Sequence, residues 1–306
     1  MMSDIGAPRH DPVPIGEIAT PPFARLPDPT TLFAIRAERL RNLARRSDLG
    51  AYLRFLADLA DCQHAIQNGL AEPDLPPEDA RERARQFNMP PLDRSRFVIE
   101  PVFDTTLDRL FDAATAIEMP AAAREALLAV KDADVPVRDE MVRAVLADSI
   151  PVETLASHVF VAAALQVHFA RVAARLDASR LVPVGDAACP VCGGPPVASV
   201  IVGWQHAANT RYCACSLCET WWHYVRIRCT ACGTTKGIGY KVVEGTESNV
   251  QAETCEECHS YAKIMHQQKE PDLEPFADDV ATLGLDLLVR EAGYRRSAFN
   301  PYLLGY

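Results

Sequence analysis

Four C-x-x-C pairs, Cys189/Cys192, Cys215/Cys218, Cys229/Cys232 and Cys255/Cys258, constrain what this 306-residue chain can fold into more than any other feature. Each pair member recurs 40 positions later, because residues 193–214 and 233–254 are both 22 long. Self-similarity at a fixed offset marks an internal repeat, here of two four-cysteine units. A C-x-x-C turn points backbone N–H groups at its thiolates, and two such knuckles complete a closed tetrahedral site. Sequential pairing places Cys189, Cys192, Cys215 and Cys218 around one ion and Cys229, Cys232, Cys255 and Cys258 around a second. A cross-braced pairing stays open; the sequential one is favoured because each unit carries its own glycine-bearing first knuckle, Cys192-Gly193-Gly194 and Cys232-Gly233.

Four thiolates leave no coordination position for water or substrate, so such sites are structural, and they replace the core that so short a segment lacks. Soft sulfur donors suit zinc, and rubredoxin-like knuckles of the same kind suit a single iron. Cys213 reads as a strand residue facing away from its knuckle, and Cys62, beside Phe55, Leu59 and Ile66, as a small core residue. His206 and His259 stand near the cysteines without being needed as ligands. No phosphate loop, nucleophile elbow or open histidine-rich site accompanies them, so the expected protein is not an enzyme.

The strands expected in this module are Val197 to Trp204, Tyr212 to Cys215, Glu219 to Arg228 and Gly237 to Val243. Along the third, period-two alternation puts Trp221, His223, Val225 and Ile227 on one face and Trp222, Tyr224, Arg226 and Arg228 on the other. Trp222, His223, Tyr224 and Arg226 form a candidate partner-binding surface, since aromatic and arginine side chains dominate hot spots. The competing reading packs the same aromatics on the helical module and makes His223 a packing residue on an apolar face.

Ahead of the cysteines the pattern is helical. Residues 1–30 carry seven prolines and read as an extended arm. Thr30 or Thr31 then caps a helix with apolar Leu32, Ile35, Leu40 and Leu43, whose Arg36, Arg39, Arg41, Arg45 and Arg46 read as a solvated face. Helices follow over Asp48 to Leu70, Glu78 to Phe87, about 103–117, 120–131 and 136–148, and Val152 to Leu176, with Pro120, Pro136 and Pro151 near helix starts. His64 reads as exposed, and His158 and His168, ten residues apart, as packing or surface histidines. A last helix, Phe276 to Glu291, is expected to dock through Phe276, Val280, Leu283, Leu287 and Leu288, with Gly293 as its stop. The tail through Leu304 is too apolar for a solvated end.

The formal charge of −10 speaks against binding nucleic acid by phosphate neutralisation. Within residues 189–260 five Lys and Arg face six Glu, before closed thiolate sites add further negative charge. No stretch is expected to reach the ~20 apolar residues of a membrane span, and the start lacks a basic n-region and an apolar h-region. The expectation is a cytoplasmic protein without membrane insertion.

CPVCGGPPV at 189–197, RYCACSLCETWWHYVRIRCTACG at 211–233, AETCEECHSYAKI at 252–264 and GYRRSAFNPYLL at 293–304 carry a resemblance to the bacterial formate dehydrogenase accessory (FdhE) proteins. Weaker echoes, RAERLRNLA from 36, AYLRFLADLA from 51 and PPLD from 90, extend it over most of the chain. The chain departs from the family pattern at Cys213, Ala214 and Trp221. The resemblance implies a cytoplasmic, non-enzymatic chaperone that binds the formate dehydrogenase catalytic subunit, with the eight paired cysteines holding metal, iron or zinc, one ion per site.

The fold class expected is α+β: an all-α N-terminal domain, two tandem rubredoxin-like or zinc-ribbon four-cysteine folds, and a C-terminal helix. The segments are 1–30 (arm), 31–182 (helical domain), 183–226 and 227–270 (first and second metal folds) and 271–306 (C-terminal helix and tail). A rubredoxin-like electron-transfer or redox-sensing protein is the alternative, and a homodimer is left open.

Overall fold

The computed structural model describes residues 21–244 and 248–303. Pro8, Pro12 and Pro14 of the arm, and Leu304 of the tail, lie outside them. The helical half comprises Leu32–Ala44 (α1), Gly50–Ile66 (α2), Glu78–Gln86 (α3), Pro101–Ala114 (α4), Ala121–Lys131 (α5), Val135–Leu146 (α6) and Leu155–Ala173 (α7). Proline stands in the first turn of α4 and α6 and caps α5, where a missing N–H leaves no helix bond unmade. α4, α5 and α6 surround α7, which is apolar on every side: from His158 to Ala173 all residues but Arg171 are buried.

That core helix corrects one expectation. Val152–Ala173 is 22 residues long and contains an 18-residue stretch of mean hydropathy 1.3, enough by length and composition to cross a membrane, but 78% of that stretch is buried inside the fold.

Among the described residues the strands form one eight-stranded sheet. They are Ala24–Arg25 (β1), Pro196–Ile201 (β2), Arg211–Cys215 (β3), Trp221–His223 (β4), Ile238–Lys241 (β5), Val250–Cys255 (β6), Ser260–His266 (β7) and Arg295–Arg296 (β8). The order is β1-β4-β3-β2-β7-β6-β5, with β8 beside β7. Two antiparallel meanders meet in one parallel pairing, Ser199 to Ile201 of β2 against Ile264 to His266 of β7. The 40-residue offset is therefore structural: β6 answers β3 and β7 answers β4. β6 and β7 lie outside the strands expected from the sequence, although the offset points at both.

Three further corrections concern faces and ends. Arg36 of the supposed solvated face is only 1% exposed and pairs with Glu219 and Glu274, whereas Ile35 is 56% exposed. The expected C-terminal helix breaks at Thr282 into Pro275–Ala281 (α8) and Leu283–Glu291 (α9). The Thr282 hydroxyl bonds back to Asp278 O at 2.7 Å, and the turned second half buries Leu285 and Val289 while leaving Leu287 and Leu288 exposed. Finally, β4 stops at His223 instead of running to Arg228, because the buried Arg211 guanidinium takes the carbonyls of Arg226 and Arg228 at 3.1 and 3.0 Å and pulls the chain out of the ladder.

α8 lies between α1 and β2, so helices and sheet share one apolar core. The tail is part of it: Asn300, Tyr302 and Leu303 are buried, and Tyr302 O accepts from Tyr52 OH at 2.7 Å. His64 is exposed, and His168 packs among Phe97, Phe103 and Phe169.

Candidate metal centres and contact segment

Each four-cysteine group is built from a turn before a meander and a turn inside it. Cys189 N–H donates to Gly194 O and Gly193 N–H to Cys189 O, both at 2.9 Å, closing the first knuckle. Forty residues on, Cys229 N–H donates to Thr234 O at 2.8 Å and Gly233 N–H to Cys229 O at 3.1 Å. Gly193 and Gly233 have φ of +76° and +73°, a conformation glycine adopts without strain. Leu217 and Cys218 aim their N–H groups at Cys215 Sγ at 3.4 Å, and Ala231 aims its own at Cys229 Sγ at 3.3 Å.

The sulfurs group sequentially, the pairing that the glycine-bearing first knuckles favour, and not cross-braced. Cys189, Cys192, Cys215 and Cys218 lie with all Sγ atoms within 4.8 Å of one another, and so do Cys229, Cys232, Cys255 and Cys258. Opposite pairs are 3.5 Å (Cys189 to Cys218), 3.4 Å (Cys192 to Cys215), 3.7 Å (Cys229 to Cys258) and 3.8 Å (Cys232 to Cys255) apart. A tetrahedron with metal–sulfur bonds of about 2.3 Å has edges of about 3.8 Å. The donor set fits a single thiophilic ion in each group.

Burial pushes the thiols of Cys189 and Cys218 well up, so the four sulfurs of the first group carry charge together only with a cation among them. In the second group burial takes Cys255 up to about 12. Burial also acts against the Cys258 thiolate, but the Ser260 hydroxyl 2.8 Å away and the neighbouring thiols bring it down to about 7. Thr220, forty residues before Ser260, places its hydroxyl 3.3 Å from Cys218 Sγ. A hydroxyl two residues after the last cysteine of each unit is a signal that the repeat itself carries. Cys213 is buried against the Ser199 hydroxyl at 3.7 Å, outside both groups. His206 and His259 are exposed and join neither.

The two groups differ in what covers them. Leu92 N–H donates to Val191 O at 2.9 Å and Arg94 N–H to Cys192 O at 3.2 Å, laying a loop of the helical half over the first knuckle. Asp148 grips the Arg94 guanidinium at 2.9 and 2.6 Å. Gln166 of α7 donates to Ser216 O, inside the second knuckle of that group, at 3.1 Å. Arg94, Asp148 and Gln166 carried no local signal, since their partners lie 50 or more positions away. In the second group Cys232 is exposed and Cys258 half-buried.

The four candidate contact residues separate. Trp222 and Tyr224 are 3% and 7% exposed. Trp222 is held between β1 and β3, and Tyr224 donates to Cys229 O at 2.9 Å. His223 and Arg226 face solvent, as do Val225 and Ile227 at 52% and 55%. His223 thus sits on the open side, reversing the packing reading.

The fold and its centres define a class: a helical bundle fused through a shared sheet to two tandem four-cysteine metal-binding folds. Family models match the chain in three parts, FdhE, N-terminal over residues 21–186, FdhE, central domain over 188–226 and FdhE, C-terminal domain over 227–303. A protein FdhE homolog of Rhizobium meliloti (strain 1021) is 47% identical over 298 residues, 97% of each chain. One of Stutzerimonas stutzeri (strain A1501) is 37% identical over 288 residues, 92% of each. The crystal structure of the FdhE protein from Pseudomonas aeruginosa superposes with a TM-score of 0.82 at 33% identity, covering 93% of this chain and 99% of that one. The chain belongs to the FdhE family.

Proposed function

We propose that this protein is a cytoplasmic accessory protein for formate dehydrogenase maturation, without catalytic activity of its own. On this reading it holds the catalytic subunit through a surface kept in shape by the two metal-loaded folds. The observation that carries it is the pair of closed four-sulfur groups, which suit holding a surface and leave no position for substrate. Cys189, Cys192, Cys215 and Cys218, and Cys229, Cys232, Cys255 and Cys258, would each hold one iron or zinc ion, which would offset part of the thiolate charge and tie the turn before each meander to the turn inside it. Residues 31–182 act as the helical body, 183–226 and 227–270 as the metal folds, and 271–303 as the strap joining them.

The contact surface is the outer side of the segment between the centres. His223, Val225, Arg226 and Ile227 present it, and Trp222 and Tyr224 support it from below. Co-purification of the formate dehydrogenase catalytic subunit with the intact chain, and its loss in Cys229→Ser plus Cys232→Ser, is the expected result. Unchanged binding in that variant would rule out the metal-dependent form of this reading.

The exposed Cys232 favours a second reading, a rubredoxin-like electron carrier, since electrons enter a one-iron centre through a solvent-facing ligand. It requires a visible iron spectrum that bleaches reversibly on reduction. A colourless zinc protein excludes it.

A further inference from the structure

The two cysteine groups repeat each other in sequence and differ in access. Around the first, Cys189, Cys192, Cys215 and Cys218 are all buried beneath the loop of Leu92 and Arg94. Arg94 lies so close that a Cβ added at Gly194 would sit 3.7 Å from its Cδ. Around the second, no loop from the helical half bonds the knuckle among the described residues. Cys232 is open, and Ala231, Glu256, Glu257 and His259 beside the cysteines are exposed as well.

We propose that the first group is a permanent metal site and the second an exchange site, which takes up and releases a thiophilic divalent ion to small thiol ligands through Cys232. This inference rests on the metal-binding reading above. Exchange from a closed four-thiolate shell is ligand replacement: an incoming thiol gives up its proton and bonds to the metal, while Cys232 leaves the metal and keeps that proton as its own thiol. No electron is transferred, and the ion stays divalent. The step needs an approach path, and thiol reactions follow access. Cys232 offers such a path to solvent, and the buried sulfurs of the first group offer none.

The order of events follows from this geometry. Cys232 is replaced first, and Cys258, half-buried, second; Cys229 and Cys255 then release the ion from the inner side. Arg94 keeps the first group closed through its ion pair with Asp148 and its N–H bond to Cys192 O.

The test is zinc release from the full chain to a chromophoric chelator, with a small thiol present. Two phases of one equivalent each are expected, at least an order of magnitude apart in rate. Cys232→Ser is expected to remove the fast phase and keep the slow equivalent; Arg94→Ala is expected to speed the slow phase and leave the fast one alone. A single phase of two equivalents, or a fast phase that survives Cys232→Ser, would overturn the proposal. If the chain binds neither zinc nor iron, the metal-binding reading itself fails, so the two failures are distinguishable. Limited alkylation of the loaded wild-type chain gives an answer that needs no variant. Cys232 and Cys258 should be labelled before Cys189, Cys192, Cys215 or Cys218, and labelling of the two groups at equal rates would also overturn it.

Discussion

Arg36 shows how a single residue ties the halves together. Its guanidinium bonds Glu219 Oε2 and Glu274 Oε1, each at 2.9 Å, and stacks 3.9 Å from the centre of the Phe276 ring. Burial takes the Glu219 carboxyl up to about 8 even with that cation beside it. Removing one partner of a buried ionic cluster costs about 3–5 kcal/mol, because the remaining charges stay buried without compensation. Arg36→Met should lose that much in urea unfolding, and adding Glu219→Gln and Glu274→Gln should recover most of it. At about 100° per residue Arg36 and Arg39 share one side of α1, and Arg41, which pairs with Asp58 and Asp61, lies on another. The periodicity is silent on the counter-charges 183 and 238 positions away, so Arg36 reads as solvated until the fold supplies them. His168 makes the second residue-level case. Burial, with Arg171 nearby, lowers its pKa to about 4 from 6.5, so the folded protein holds it neutral while the unfolded chain protonates it. Its share of stability is therefore present above pH 6.5 and lost as the pH falls toward 4. Between pH 7 and pH 5 that loss is about 2 kcal/mol. Cysteine sites also lose metal in acid, so the diagnostic is the difference between wild type and His168→Phe, whose stability should fall less over the same range.

Among the elements, the knuckles are the most legible and the returning strands the least. A C-x-x-C turn is set by residues within a few positions of one another, so ligand pairing and glycine placement read directly from spacing. β6 and β7 carry Glu253 and Lys263 into buried positions, which breaks the alternation that marks a strand; their partners, Arg211 and Asp286, come from other elements. The break between α8 and α9 is equally hidden, because Thr282 ends a helix that the apolar pattern would continue. Two glycines test how far local geometry decides. At Gly193, φ is +76° and an added Cβ would lie 3.2 Å from Pro90 Cγ. Gly193→Ala should cost about 1–2 kcal/mol from the left-handed backbone alone. It should also loosen the loop over the first centre, seen as faster zinc loss from that group. Gly284, in the first turn of α9, has nothing within 4 Å of an added Cβ. Gly284→Ala should raise stability by about 0.4–1 kcal/mol through the unfolded chain, with zinc release unchanged.

At the scale of the whole molecule, the question is whether losing one ion is felt locally or everywhere. The first centre sits where β2 and β3 start and end, in the middle of the sheet, and Gln166 links its Ser216 carbonyl to the core helix α7. Gln166 Oε1 also accepts from Tyr302 OH at 2.7 Å, so the same amide holds the C-terminal tail. The second centre closes β5 and β6 at the sheet's end, where β5, among the described residues, has a neighbour on one side only. Structural metal binding is worth about 10–16 kcal/mol in small domains, comparable to the whole stability of an ordinary domain. Its loss in the middle should therefore spread, and its loss at the edge should not. Hydrogen exchange on Cys189→Ser should show faster exchange in β2, β3, the middle of α7 and Tyr302, and cooperative loss of the helical half at lower denaturant. Cys232→Ser should speed exchange in β5, β6 and residues 225–228 and leave α7 protected. Equal effects of the two variants on α7 would mean that the parallel β2 to β7 pairing transmits the loss, and that the two meanders melt as one unit.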